Sequence, residues 1–192
     1  MAVIHRTTMQ PSKLELLARW LPEQAWYRGA GQLTRAGGFR LDDPAGEVGI
    51  EFMVVLSGDA VAHLVPMTYR AAPLAAAAAG LIGTARHGVL GERWVYDGEY
   101  DPLVQAQLAA LLRGEVLAQA QNESDTVDET VCVRVMAGVT AVEFRRLLTE
   151  DESPEAPVGY VSAPYVSAPY VSAPWRRVDG SLARGIVATA VR

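Results

Sequence analysis

An α+β fold, a mostly antiparallel sheet of about five or six strands packed on two main helices, follows from three features of the sequence. Two segments carry the apolar period of a helix, several others are rich in β-branched and aromatic residues, and strands and helices nowhere alternate as a parallel sheet requires. The first helix is read over residues 11–21, with Leu14, Leu17 and Leu21 on one stripe and Leu16 and Trp20 beside it. Pro11 suits its first turn, Ser12 and Glu15 have capping-box spacing, and Pro22 ends it. The sole lysine, Lys13, falls on the exposed side of this helix. Glycines 29, 31, 37 and 38 then punctuate a connection into the turn Asp42-Asp43-Pro44-Ala45-Gly46.

From there the period changes. Residues 47–56 and 60–70, separated by Ser57-Gly58-Asp59, predict an antiparallel hairpin, with Pro66 pushing the second strand toward an edge or a bulge. The alanine run after Pro73 is open between a short helix and a crossover. Residues 93–98 read as a strand ending in a turn. Residues 101–121 read as the second helix, with Asp101 as N-cap, Pro102 as first residue, and Val104, Leu108, Leu111, Leu112 and Val116 on its buried face. Two strand-like segments follow at 130–138 and 139–148, and a last one at 184–192. Residues 160–174 are three copies of Tyr-Val-Ser-Ala-Pro. A period of five matches neither strand nor helix, and the prolines remove donors, so a Pro-rich loop is expected over 153–175.

At 192 residues, 50% hydrophobic and 20% charged, the chain suits a single domain over 1–192. Its 17 basic and 22 acidic residues give a net charge of -5, which disfavours nucleic acid as a partner. The single cysteine, Cys132, rules out an internal disulfide and agrees with a reducing compartment. The opening residues lack the apolar core of a signal peptide, and no run approaches the ~18 apolar residues of a membrane span, so a cytoplasmic location is expected.

Residues 20–29, Trp-Leu-Pro-Glu-Gln-Ala-Trp-Tyr-Arg-Gly, resemble the opening of actinobacterial maltokinase N-terminal caps. A weaker similarity runs through 81–112, and the polar stretch beginning at Glu123 resembles the passage from cap to nucleotide lobe. Residues Arg40–Phe52, Val65–Arg70 and Arg93–Gly98 are similar to stand-alone cap-like proteins that often carry a 1,4-alpha-glucan branching label. The resemblance implies a curved, cystatin-like sheet around the first helix and a link to maltose, trehalose or glycogen metabolism. It does not imply catalysis: the kinase's phosphate-contacting lysine has no counterpart in residues 139–148, and phosphoryl transfer needs a larger lobe.

No Walker loop and no nucleophile elbow is present, and His5, His63 and His87 stand apart without metal-ligand spacing, so neither cofactor nor metal is expected. Trp20, Gln24, Trp26, Tyr27, Arg28, Trp94 and Tyr96 make up the candidate binding set, since aromatic faces beside arginine suit a sugar or a protein partner. The expectation is a non-catalytic binding or regulatory module that partners a sugar kinase or glucan enzyme. The rival is a small enzyme acting on a sugar or α-glucan with Asp42, Asp43, Asp97 or Asp101 as acid and base. Self-association through an edge strand is a third reading.

Overall fold

Ser12 caps the first helix as its spacing with Glu15 predicts: its Oγ accepts from the Glu15 N–H, and the Glu15 carboxylate accepts from the Ser12 N–H. The computed structural model describes residues 8–58, 60–150 and 168–191. His5 and residues 153–167 of the expected loop, with the first two repeat copies up to Ser167, lie outside them. The elements run β1 (Met9–Gln10), α1 (Lys13–Trp20), β2 (Thr34–Leu41), β3 (Gly49–Leu56), β4 (Ala62–Arg70), β5 (Leu81–His87) and β6 (Gly91–Asp97). They continue with α2 (Pro102–Arg113), β7 (Cys132–Arg134), β8 (Val142–Phe144), β9 (Tyr170–Arg176) and β10 (Leu182–Ala190). The alanine run forms a 3-10 turn, Ala75–Gly80.

All ten strands join one antiparallel sheet in the order β1-β5-β6-β4-β3-β2-β9-β10-β8, with β7 also paired to β9. The strand count corrects the expected five or six. Beyond β8 the chain folds back: Arg145 N–H donates to Val187 O, Leu64 N–H to Arg146 O, and Leu148 N–H to Ala62 O. The path from β4 through β3, β2, β9, β10 and β8 therefore returns to β4. Along the edge away from β3, β4 has two partners in succession, residues 146–148 opposite Ala62–Leu64 and β6 opposite Met67–Arg70. Pro66 occupies the gap between them. Because Leu64 donates to that edge, strand alternation turns the Pro66 nitrogen the same way, where neither partner reaches. Its missing donor thus breaks no ladder bond, and β4 is an interior strand, contrary to the edge or bulge expected.

Strand alternation divides the sheet's two faces. Ile50, Phe52 and Val54 of β3 share a core with Leu64 of β4 and with Val142, Phe144, Val171, Trp175 and Val187 of the later strands. Helix α2 fills it with Val104, Leu108, Leu111 and Leu112, each at most 2% exposed, and each such burial stabilises by about 1.5–3 kcal/mol. Met53, Val55, Val65, Met67, Ile82 and Val95 face the other way, against Leu16, Leu17, Trp20 and Leu21. The helix wrapped by the larger core is α2, whereas the expectation placed α1 there. Helix α2 also ends earlier than expected, because Gly114 takes a left-handed C-cap (φ 76°) that leaves Val116 beyond the helix, half-buried.

Two of the glycines expected to form a connection sit inside β2. The register with β3 slips between Arg35 and Gly37, a Cβ on Gly37 would lie 2.9 Å from Pro174 O, and Gly38 has φ 129° and sits against Phe52 O. They permit a bulged strand to approach its neighbours closely. The third repeat copy is likewise a strand and not the end of a loop: Val171, Ser172 and Ala173 of β9 are buried, between β10 and β7. Arg177 N–H donates to Ser181 O across the hairpin, and Pro174 O faces Gly37 of β2. The Pro174 nitrogen therefore points away from β10, into the interval between the β7 pairing at Ser172 and the β2 pairing at Trp175. One repeat copy is enough to supply β9. Deleting residues 160–169 puts Gly159 where the buried Pro169 accepts from the Ala190 N–H, a bond a glycine carbonyl can also accept. The deletion should leave the melting temperature within about 2 °C of the parent by circular dichroism, since a shorter connection changes closure entropy little. A drop of several degrees would show that another copy packs on the core.

Candidate functional site

The candidate region begins where α1 stops. Pro22 opens a 3-10 turn, Leu21–Glu23, and Gln24 Nε2 donates to Trp20 O at 3.2 Å, folding the chain so that Trp26 meets Trp20 edge to face at 5.9 Å. The Arg28 N–H donates to His63 Nε2 at 3.3 Å, and the Tyr27 and Trp26 rings stand 4.8 Å and 6.3 Å from the buried His63 ring. A cleft of about 280 Å³ opens beside them, lined by Ala18, Leu21, Pro22, Tyr27, Gly29 and Leu33. The Arg28 side chain is exposed and donates to Ala25 O and Tyr27 O, which stiffens the loop.

Arg146 completes the cluster from far along the chain. Its guanidinium lies 4.8 Å from the Trp26 ring centre and 5.6 Å from that of Phe144, a cation–π contact with each. Its Nη2 donates to both Asp97 oxygens at 2.6 Å and to Glu99 Oε2 at 2.6 Å. Burial raises the Asp97 pKa, and the Arg146 charge offsets only part of that. The structure thus gathers Trp20, Gln24, Trp26, Tyr27 and Arg28 with His63, Asp97, Glu99 and Arg146. Sequence reasoning had no signal for His63 or Arg146 as members, since strand pairing alone brings residues 63 and 146 beside 26. Trp94 and Tyr96 do not join. They lie on the face of β6 opposite Val95 and Asp97, where Tyr96 is 2% exposed and its hydroxyl accepts from the Leu74 N–H.

The four aspartates of the enzymatic reading are all engaged in the structure. Asp42 lies 3.9 Å from Arg40, and Asp43 accepts from the N–H groups of Ala45, Glu47 and Val48, a turn former as expected. Asp97 holds Arg146. Asp101 caps α2 through the Leu103 N–H and accepts from Thr68 Oγ1 and, on both oxygens, from Arg70. Lys13 does not extend into solvent as expected: its amine pairs with Glu51, 3% exposed, and lies 5.1 Å from the Tyr69 ring centre. Tyr69 also donates to Glu51 Oε2, and Gln121 to Oε1. Burial works against the Glu51 charge, yet the Lys13 charge and the hydrogen bonds from Lys13 and Tyr69 hold its pKa below the usual value. Cys132 is a free, half-buried thiol, and no helix among the described residues is long and apolar enough to cross a membrane.

No curated protein matches the chain. Residues 20–101, which begin at the Trp20 that closes α1 and end at the Asp101 that caps α2, match the family described as the maltokinase N-terminal cap domain. Over that span the chain is similar to the maltokinase N-terminal cap domain.

Proposed function

We propose that the chain is a non-catalytic binding or regulatory module of maltose, trehalose or glycogen metabolism that partners a sugar kinase or glucan enzyme. The observation that carries this reading is the match of residues 20–101 to a domain described as a cap of maltokinase, a part of an enzyme and not the enzyme. Two features support it. The aromatic and arginine cluster at residues 20–28 flanks a cleft, a surface suited to a sugar ring or to a protein partner. The aspartates that could serve as acid and base hold the fold together, so using Asp101 or Asp97 in proton transfer would break buried ion pairs. Lys13, the one lysine, is already committed to Glu51.

The test is capture of tagged protein from its native lysate, with glucan branching and sugar phosphorylation assayed in the eluate and in the purified chain. A sugar kinase or glucan enzyme should co-purify, and Trp26→Ala combined with Arg28→Ala should lose it while keeping the parent circular dichroism spectrum. The purified chain alone should show neither activity. Activity from the chain alone would overturn the proposal and direct attention to Asp97 and Asp101.

A further inference from the structure

Beyond the end of α2 the chain builds an apolar cleft of about 250 Å³, floored by Leu111 and walled by Val116, Leu117, Val127, Val131 and Val133. An empty apolar cavity of about 150 Å³ accepts a benzene ring, so this one has room for a large aliphatic side chain and part of a second. Its rim is apolar as well: Leu117 is 52% exposed, Val127 44% and Val135 39%, with Met136 at 49% beside it. Aliphatic side chains exposed around a formed cleft are the anatomy of an anchor site for a partner's side chain.

The charge around the cleft selects the partner. Residues 114–130, which supply much of the wall, contain Glu115, Glu123, Asp125, Asp128 and Glu129 and neither lysine, arginine nor histidine. The cleft lining itself carries Asp128 and Glu129 and no lysine, arginine or histidine. Of the cations that border the segment, Arg113 binds the Glu115 carboxylate and Val139 O, Arg35 reaches Gln121 and Asn122, and Arg184 reaches Thr130 O and Ser172. Unlike Glu115, the exposed Glu123 and Glu129 pair with no cation among the described residues, and with the lining Asp128 they leave the rim an acidic excess. All of these residues lie after Asp101, outside the cap match, so the surface is separate from the cluster at Trp26 and stands whether or not that cluster binds.

We propose that this cleft docks a basic segment of another protein, which inserts aliphatic side chains between Leu117 and Val127 and sets lysine or arginine against the acidic segment 114–130. The probe is a fluorescein-labelled amphipathic peptide of leucine and lysine, titrated with the full chain by fluorescence anisotropy, beside a leucine and glutamate peptide of the same pattern. Wild type should bind the lysine peptide and not the glutamate peptide. Leu117→Asp and Val127→Asp, both at exposed positions, should each weaken binding by about tenfold or more, as truncation of an anchor contact does. Glu123→Lys with Glu129→Lys should weaken it and flatten its dependence on salt. Equal affinity for both peptides, or affinity unchanged in the aspartate variants at parent melting temperature, would overturn the proposal. So would a wild-type dimer in sedimentation that Leu117→Asp converts to monomer, since a second copy would then be the occupant.

Discussion

Asp101→Ala is expected to destabilise the protein by about 3–5 kcal/mol, the scale for removing one partner of a buried ion pair together with a helix cap. The residue is 0% exposed and joins α2 to β4: it caps α2, accepts from Thr68 of β4, and holds Arg70 of the same strand on both oxygens at 2.8 Å. Alanine leaves the Arg70 guanidinium without its carboxylate, and the first turn of α2 without its acceptor. For a chain of this length the loss corresponds to a fall in melting temperature of roughly 6–20 °C. Asp101→Asn keeps one acceptor oxygen, enough for the Leu103 N–H or for Thr68 but not both, and sets an NH2 donor beside the Arg70 guanidinium, so it should recover only part of the alanine loss.

The same residue gives the stability a signed pH dependence. Burial opposes its charge, but the hydrogen bonds from Arg70, Thr68 and the Leu103 N–H outweigh burial and hold the pKa below the usual value. A depressed folded-state pKa means that the stabilisation is fully present above the unfolded value of about 3.9 and is lost as pH falls through the lower folded value. Urea midpoints taken between about pH 6 and pH 2 should therefore fall less steeply for Asp101→Ala than for the parent. Parallel curves would show that the carboxyl titrates alike in the folded and unfolded chain and that its partners do not favour the charged form.

Trp175→Ala should cost a similar amount, about 3–5 kcal/mol, by opening a cavity in the larger core. Trp175 is 3% exposed; its ring edge packs where a Cβ on Gly185 would lie, and its backbone pairs with Gly37 to join β2 to β9. Trp175→Phe should recover more than half of that loss, judged by urea midpoint, because most of the volume returns. The residue directly follows the third repeat copy, whereas the first two are followed by Tyr165 and Tyr170, so the indole marks the copy that forms β9.

The helices and the β3–β4 hairpin were legible because each presents its apolar residues on a regular period beside a strong stop or cap, as with Ser12, Pro22 and Asp101. Four strands were not. β1 has two residues, too few for any period. β2 and β5 carry glycines at register slips, so the residues that mark a close approach read as punctuation. β9 was hidden by an argument that holds for three repeats as one element, since a single copy of five residues has no period to violate. The site divides in the same way. Trp20, Gln24, Trp26, Tyr27 and Arg28 lie within nine positions and were found together, while His63, Asp97 and Arg146 reach them only through pairings tens of residues apart. Trp94 and Tyr96 are candidates by residue type alone, and composition does not say which face of β6 a side chain takes.

The return of the sheet to β4 sets an order on the ribosome. Residues 9–101 emerge carrying α1 and β1 to β6, yet among the described residues the opposite face of β3 is covered by α2 and by strands that end at Ala190. At the usual pace of synthesis, about 5–20 residues per second, the interval from Asp101 to Ala190 is on the order of ten seconds. α2 follows at once, but until the later strands arrive Phe39, Ile50 and Phe52 are only partly covered, a window for holding chaperones and the reason the nascent amino-terminal half should be the species most prone to aggregate.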